Sequence, residues 1–173
     1  QLALSTIPEN VTSISGVPTW NLVLMKHILN LTGKSSIAEI WPQLELYIHG
    51  GVSFVPYREQ FKKLIGRDIH YLEMYNASEG FFAAQENPGD DGMLLFTDHG
   101  IFMEFMPVSE YGKKHPQTIS LQDVEVGKNY ALIISTNGGL WRYLVGDTIQ
   151  FTSIKPFRVK VSIIDELPVQ FQN

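Results

Sequence analysis

Two short segments hold most of the residues suited to chemistry: Tyr75-Asn76-Ala77-Ser78-Glu79 and Tyr143-Leu144-Val145-Gly146-Asp147. Each sets an aromatic ring close to a carboxylate. A Tyr ring offers a flat apolar face to a purine, Asn76 and Ser78 offer hydrogen bonds to base or phosphate, and Glu79 is a hard oxygen ligand suited to magnesium carrying phosphates. Asp147, at a strand end, can accept both hydroxyl protons of a ribose. Upstream, the glycines of His49-Gly50-Gly51-Val52 let backbone approach a planar ligand where a side chain would block it. Together these groups could grip an adenine nucleotide. Each also has a plainer reading: a strand end with a core Tyr and a solvated Glu, a Gly-Gly turn needing positive φ, a structural His49, and a polar turn after a hairpin strand. Arg142 is a phosphate or carboxylate partner if it faces the ligand, and a solvent residue if strand alternation turns it outward.

The elements that must position these groups follow from hydrophobic period and turn residues. Residues 19–32 follow Pro18 and carry Trp20, Val23, Leu24, Ile28 and Leu31 near helical spacing, with Gly33 just past the end, which predicts a helix burying that face. A short helical turn over 36–41 stops at Pro42. Residues 44–49 read as a buried strand entering the Gly-Gly turn, and Pro56 opens a helix through Ile65 that Gly66 ends. From Ile69 the pattern changes to strands, at 69–75, 81–84, 93–97, 101–107, 130–135 and 140–145. Asn87-Pro88-Gly89 and Asn137-Gly138-Gly139 are prominent among the separators. The expected fold class is α/β, a mixed sheet flanked by helices running into an antiparallel region. No internal repeat is visible, and residues 162–173 carry the least pattern.

Composition narrows the function. At 173 residues and 44% apolar content the chain can bury a core. Its net charge is −5 with 13 scattered Lys and Arg, so no basic stripe points to nucleic acid or an anionic membrane. The apolar runs are far too short to span a bilayer. With no cysteine, thiol nucleophiles, disulfides and zinc-thiolate sites are excluded, and a reducing, cytoplasmic setting is compatible. A hydrolase using Glu79 and Asp98 is a weaker alternative, because a chain with 18 acidic residues always offers some pair. Asp98-His99 reads more simply as a turn before the strand at Ile101.

The order Gly50-Gly51, then Tyr75-Asn76-Ala77-Ser78-Glu79, then Gly139-Leu140-Trp141-Arg142-Tyr143-Leu144-Val145-Gly146-Asp147 resembles the nucleotide-binding motifs of the auxin-responsive acyl acid-amido synthetases. These adenylate-forming enzymes include bacterial relatives. Similarity extends through residues 12–18 and 56–61, covering 12 to about 160. The resemblance implies that residues 1–161 form the central part of a large N-terminal adenylation domain, with 162–173 a divergent or truncated tail. It implies ATP and Mg2+ as cofactors and a carboxylic acid and an amino acid as partners. Gly50, Gly51 and Val52 would line the adenine, Tyr75 would stack on it, and Asn76 and Ala77 would belong to the same loop. Ser78 would contact the α-phosphate, Glu79 would hold the metal, and Asp147 would bind the ribose, making Ser78 and Glu79 the catalytic pair. The family's arginine in the last motif is Leu144 here. Its phosphate loop is expected before residue 1 and its lysine-bearing cap after residue 173, so a non-catalytic binding remnant is the alternative. Trp20, Phe54, Phe81, Phe82 and Trp141 are candidates to line an acyl pocket or, more plainly, to fill the core.

Overall fold

The computed structural model describes residues 1–162. The chain divides into two compact units, Gln1–Ala77 and a second that begins at Ser78. The expected tail falls largely outside the described residues.

The first unit runs α1 (Leu2–Thr6), β1 (Ser13–Gly16), α2 (Pro18–Thr32), β2 (Leu46–His49), α3 (Arg58–Ile65) and β3 (His70–Ala77). β1 pairs parallel with β2, and β2 parallel with β3. Parallel neighbours need long crossovers, and α2 and α3 supply them. Pro18 occupies the first turn of α2, where its missing N–H costs nothing, and Gly33 ends the helix at φ 68° with its N–H bonded to the Leu29 carbonyl. Pro56 lies in a 3-10 turn at Val55–Tyr57, so the α-helix starts only at Arg58 before Gly66 stops it at φ 81°.

The buried face of α2 differs from expectation. Pro18, Asn21, Leu22, Met25 and Ile28 point inward, whereas Trp20 is 75% exposed and Val23 and Leu31 also face out. The helix is apolar around much of its circumference, so spacing alone does not choose a side. Asn21 helps to choose it, because its amide donates to the carbonyls of Val17 at 3.3 Å and Ser15 at 3.5 Å, turning its side of the helix toward β1. The core beneath contains Met25, Ile28, Trp41, Tyr47, Phe61 and Ile65. Its aromatic residues keep their polar ends bonded: Trp41 Nε1 donates to the Thr6 carbonyl at 3.0 Å, and Tyr47 Oη to the Gly16 carbonyl at 2.7 Å.

The second unit is antiparallel: β4 (Gly80–Ala84), β5 (Met93–Leu95), β6 (Ile101–Pro107), β7 (Asn129–Thr136), β8 (Tyr143–Ile154) and β9 (Phe157–Ser162), in the order β4-β5-β9-β8-β7-β6. Phe82, Phe105, Leu132, Ile134, Phe151 and Val159 are fully buried in it. On the side of β6 away from β7, Phe105 and Ile119 exchange two backbone hydrogen bonds, at 3.0 and 2.9 Å. The strand expected at 140–145 starts at Tyr143 and continues to Ile154. Its continuity was hidden because Gly146-Asp147 reads as a turn. In the structure these residues form a bulge: Val145, Gly146 and Asp147 all oppose Leu132, between the pairs Ala131↔Thr148 and Ile133↔Leu144.

Candidate functional site

In the first unit, the β2–β3 register pairs His49 with Glu73, which carries the chain after His49 alongside Met74 and Asn76. At Gly50 a Cβ would overlap the Met74 carbonyl oxygen and come within 3.3 Å of Asn76 Oδ1, so no other residue fits without moving backbone. Gly51 has room for a side chain but sits at φ 79°, which a glycine adopts freely. Two segments far apart in sequence therefore abut. Asn76 and Ala77 differ from expectation in one respect: they belong to β3 itself rather than to a loop after it, with Tyr75 buried and Asn76 exposed. Val52 is exposed.

His49 is buried and stacked on Phe54, ring centroids 4.3 Å apart and planes 22° from parallel. Its Nδ1 has no hydrogen-bond partner, and burial, helped by the Arg58 charge, lowers its pKa to about 4. The ring is thus neutral near pH 7. It contributes aromatic packing beside Phe54.

In the second unit, Ser78 and Glu79 form the turn between β3 and β4, Ser78 exposed and Glu79 half-buried. The Glu79 carboxylate holds the Tyr143 hydroxyl above its usual pKa. Asp147 is half-buried on the β8 bulge, next to Gly146 at φ 98°. The bulge re-aims side chains that regular alternation would fix. Just before β8, Arg142 holds φ 46°, a left-handed conformation that costs a non-glycine residue about 1–3 kcal/mol. Its Nε donates to Glu104 Oε2 at 3.0 Å and its Nη2 to Thr118 Oγ1 at 3.1 Å, while Thr118 donates to Glu104 Oε1 at 2.7 Å. Burial pushes the Glu104 carboxyl up, but the bonds from Thr118 and Arg142 outweigh it and hold the group below the usual carboxylate range. Arg142 is accordingly a carboxylate partner, of a residue of its own unit. Nothing in the sequence distinguished Glu104 or Thr118 from other polar strand and loop residues.

The remaining candidates separate cleanly. Asp98 pairs with His99 at 3.2 Å. Phe54 and Phe82 are buried core, while Trp20, Phe81 and Trp141 are exposed at 75%, 54% and 81%. Among the described residues no cluster of three or more His, Asp or Glu could hold a metal ion. Glu79, a single carboxylate, suits the alternative mode, in which magnesium takes one protein carboxylate and the phosphates of its substrate. No described helix is long and apolar enough to cross a membrane.

The fold is that of the adenylate-forming enzymes. It superimposes on the GH3.15 acyl acid amido synthetase with TM-score 0.57 at 20% identity, over 79% of this chain and 25% of that one. It also superimposes on 2-hydroxyisobutyryl-CoA ligase, solved with 2-HIB-AMP and CoA, with TM-score 0.60 at 15% identity, over 87% and 34%. The chain belongs to the GH3 family: the family's N-terminal domain matches residues 2–69 and its central domain residues 94–162. Indole-3-acetic acid-amido synthetase GH3.3 of Arabidopsis thaliana is 32% identical over 123 residues, 67% of this chain and 20% of the relative. Jasmonoyl--L-amino acid synthetase JAR4 of Nicotiana attenuata is 30% identical over 122 residues, 66% of this chain and 21% of the relative. The matched stretch thus spans about a fifth of the length of these relatives.

Proposed function

We propose that this chain is the nucleotide-binding part of an ATP-dependent acyl acid-amido synthetase that works with Mg2+ in the cytoplasm. A carboxylate oxygen of the acid attacks the α-phosphorus of ATP, the bond to pyrophosphate breaks, and an acyl-adenylate forms. The amine nitrogen of an amino acid then attacks the activated carbonyl, AMP leaves, and the amine proton passes to solvent. In this reading Gly50, Gly51 and Val52 flank the adenine, Tyr75 stacks on it with Asn76 and Ala77 beside it, Ser78 bonds the α-phosphate, and Asp147 holds the ribose hydroxyls. Glu79 would hold the magnesium ion, which supplies neutralisation of phosphate charge. Positioning and charge compensation carry such transfers, so a chain without a thiol nucleophile is not handicapped.

The observation that carries this reading is the abutment of Gly50 on Met74 and Asn76, which makes an obligatory glycine of the motif residue beside the Tyr75 strand. GH3 membership and the named activities of the relatives support it. The acid is proposed to be aromatic or otherwise apolar, as the names of the relatives suggest. ATP–pyrophosphate exchange by the full-length protein, driven by a panel of such acids with Mg2+ present, is the test. Exchange with at least one acid is expected, and failure of all of them would remove the reading.

A further inference from the structure

The loop joining β7 to β8 contains Asn137-Gly138-Gly139, a turn signal that nucleotide binding leaves without a role. Its base is closed by backbone. The Gly139 N–H donates to the Thr136 carbonyl at 3.2 Å, and the Thr136 N–H donates to the Leu140 carbonyl at 2.9 Å. Residues 137–139 are exposed at its tip. The two glycines are not equivalent. Gly139 sits at φ 105°, where the backbone asks for glycine. Gly138 is not at positive φ, and beyond its chain neighbours an added Cβ would meet only Thr136 Oγ1, at an ordinary 3.5 Å. Asparagine in a turn commonly bonds backbone nearby. Here, among the described residues, neither the Asn137 carboxamide nor the Gly138 N–H has a hydrogen-bond partner. The turn thus requires Gly139 but not the pair before it.

We propose that Asn137-Gly138 is a site of self-modification, where the chain converts Asn137 to aspartate and isoaspartate through a cyclic imide. The Gly138 amide nitrogen, its proton passing to solvent, attacks Asn137 Cγ. The Cγ–Nδ2 bond breaks, and the nitrogen takes up a proton and leaves as ammonia. Water then opens the imide at either carbonyl. Opening at the side-chain carbonyl gives aspartate, and opening at the backbone carbonyl gives isoaspartate, with the chain running through Cβ and Cγ. Three features of the loop favour this route: the nucleophilic nitrogen is held by no competing bond, no Cβ on Gly138 shields it, and the exposed tip admits the water. Isoaspartate lengthens the main chain inside a loop whose base is fixed at Thr136, Gly139 and Leu140, so those bonds must loosen.

The full-length protein, kept folded in neutral and in mildly alkaline buffer, is digested with trypsin and mapped by mass spectrometry against an unincubated control. Cleavage after Lys128 and Arg142 gives a peptide of residues 129–142 that holds Asn137 together with Asn129, which lies in β7 and precedes Tyr130. Conversion to acid is expected at Asn137 and not at Asn129, and faster in the alkaline buffer, because the nucleophile is the deprotonated amide. Intact Asn137, or equal conversion at Asn129, would overturn the proposal. An isoaspartyl methyltransferase should label the converted protein from S-adenosylmethionine, and absence of label would remove isoaspartate as a product. Gly138→Ala should fold like the wild type and lose most of the conversion; an unchanged rate would overturn the imide route. Hydroxylamine, which cuts a chain at an imide, tests that route without a variant. It should cut the folded wild type between residues 137 and 138, and an uncut chain would count against the imide. Converted wild type should also unfold at lower denaturant than Asn137→Asp, which has the new charge without the longer main chain. Coincident midpoints would overturn the loosening of the loop.

Discussion

At the scale of single residues, the most constrained position is Gly50. Gly50→Ala drives a methyl into the Met74 carbonyl, so β2 and β3 must part. A cost of about 1–3 kcal/mol in chemical unfolding is expected, with nucleotide affinity falling at least about tenfold as Tyr75 and Asn76 shift. An unchanged unfolding midpoint would contradict the geometry. His49 gives a pH prediction. Folding lowers its pKa from 6.5 to about 4, so between those values the unfolded chain holds more protons than the folded one. Its contribution to stability is full above pH 6.5 and is lost as pH falls toward 4, by about 1–3 kcal/mol. His49→Phe keeps the stacking on Phe54 and removes the titration. Unfolding free energies of wild type and variant should therefore diverge across that window, and parallel curves would refute the assignment. The glycines were legible because backbone approach restricts the residue type. The state of His49 was not, since an unpartnered Nδ1 depends on Phe54 and Arg58, which only the fold brings near.

At the scale of elements, the sequence marked helix ends better than helix faces. Gly33 and Gly66 end α2 and α3 where expected, because a left-handed cap has a residue signature. The orientation of α2 was not legible, because Trp20, Val23 and Leu31 compete with Leu22, Met25 and Ile28 and only Asn21 breaks the tie. Met25→Ala should thus cost about 2–5 kcal/mol, whereas Trp20→Ala should change stability by no more than about 0.5 kcal/mol. The reverse result in thermal unfolding would favour the face expected from spacing. The strands β1 and β9 were also unread, β1 because Ser13-Ile14-Ser15-Gly16 is too polar and short to announce itself, β9 because it follows a Pro156 turn. In β8, Gly146 reads as a turn residue yet sits within a bulged strand at φ 98°. Gly146→Ala should cost about 1–3 kcal/mol and weaken ribose recognition by Asp147, checked by comparing unfolding midpoints and the affinity for AMP against that for adenine.

At the scale of the molecule, the passage from parallel α/β to antiparallel strands was legible because crossover helices and hairpin turns leave different sequence patterns. Its division at Ala77 was not, because Tyr75–Glu79 reads as one continuous motif. The 173-residue chain by itself is expected to bind adenosine nucleotides weakly and to catalyse no pyrophosphate exchange, since the match covers only 20% of the GH3.3 relative. Robust exchange by these residues alone would refute this. The bridge between Phe105 and Ile119 has a consequence of a different kind. Strand margins with free amides and carbonyls recruit other chains, and β6 also carries the exposed Phe102. The strap at 118–120 shields part of that margin, and its Thr118 is bonded to Glu104 and Arg142. Protection against misassembly therefore hangs on this piece of chain, so substitutions that loosen it would lower the yield of soluble protein.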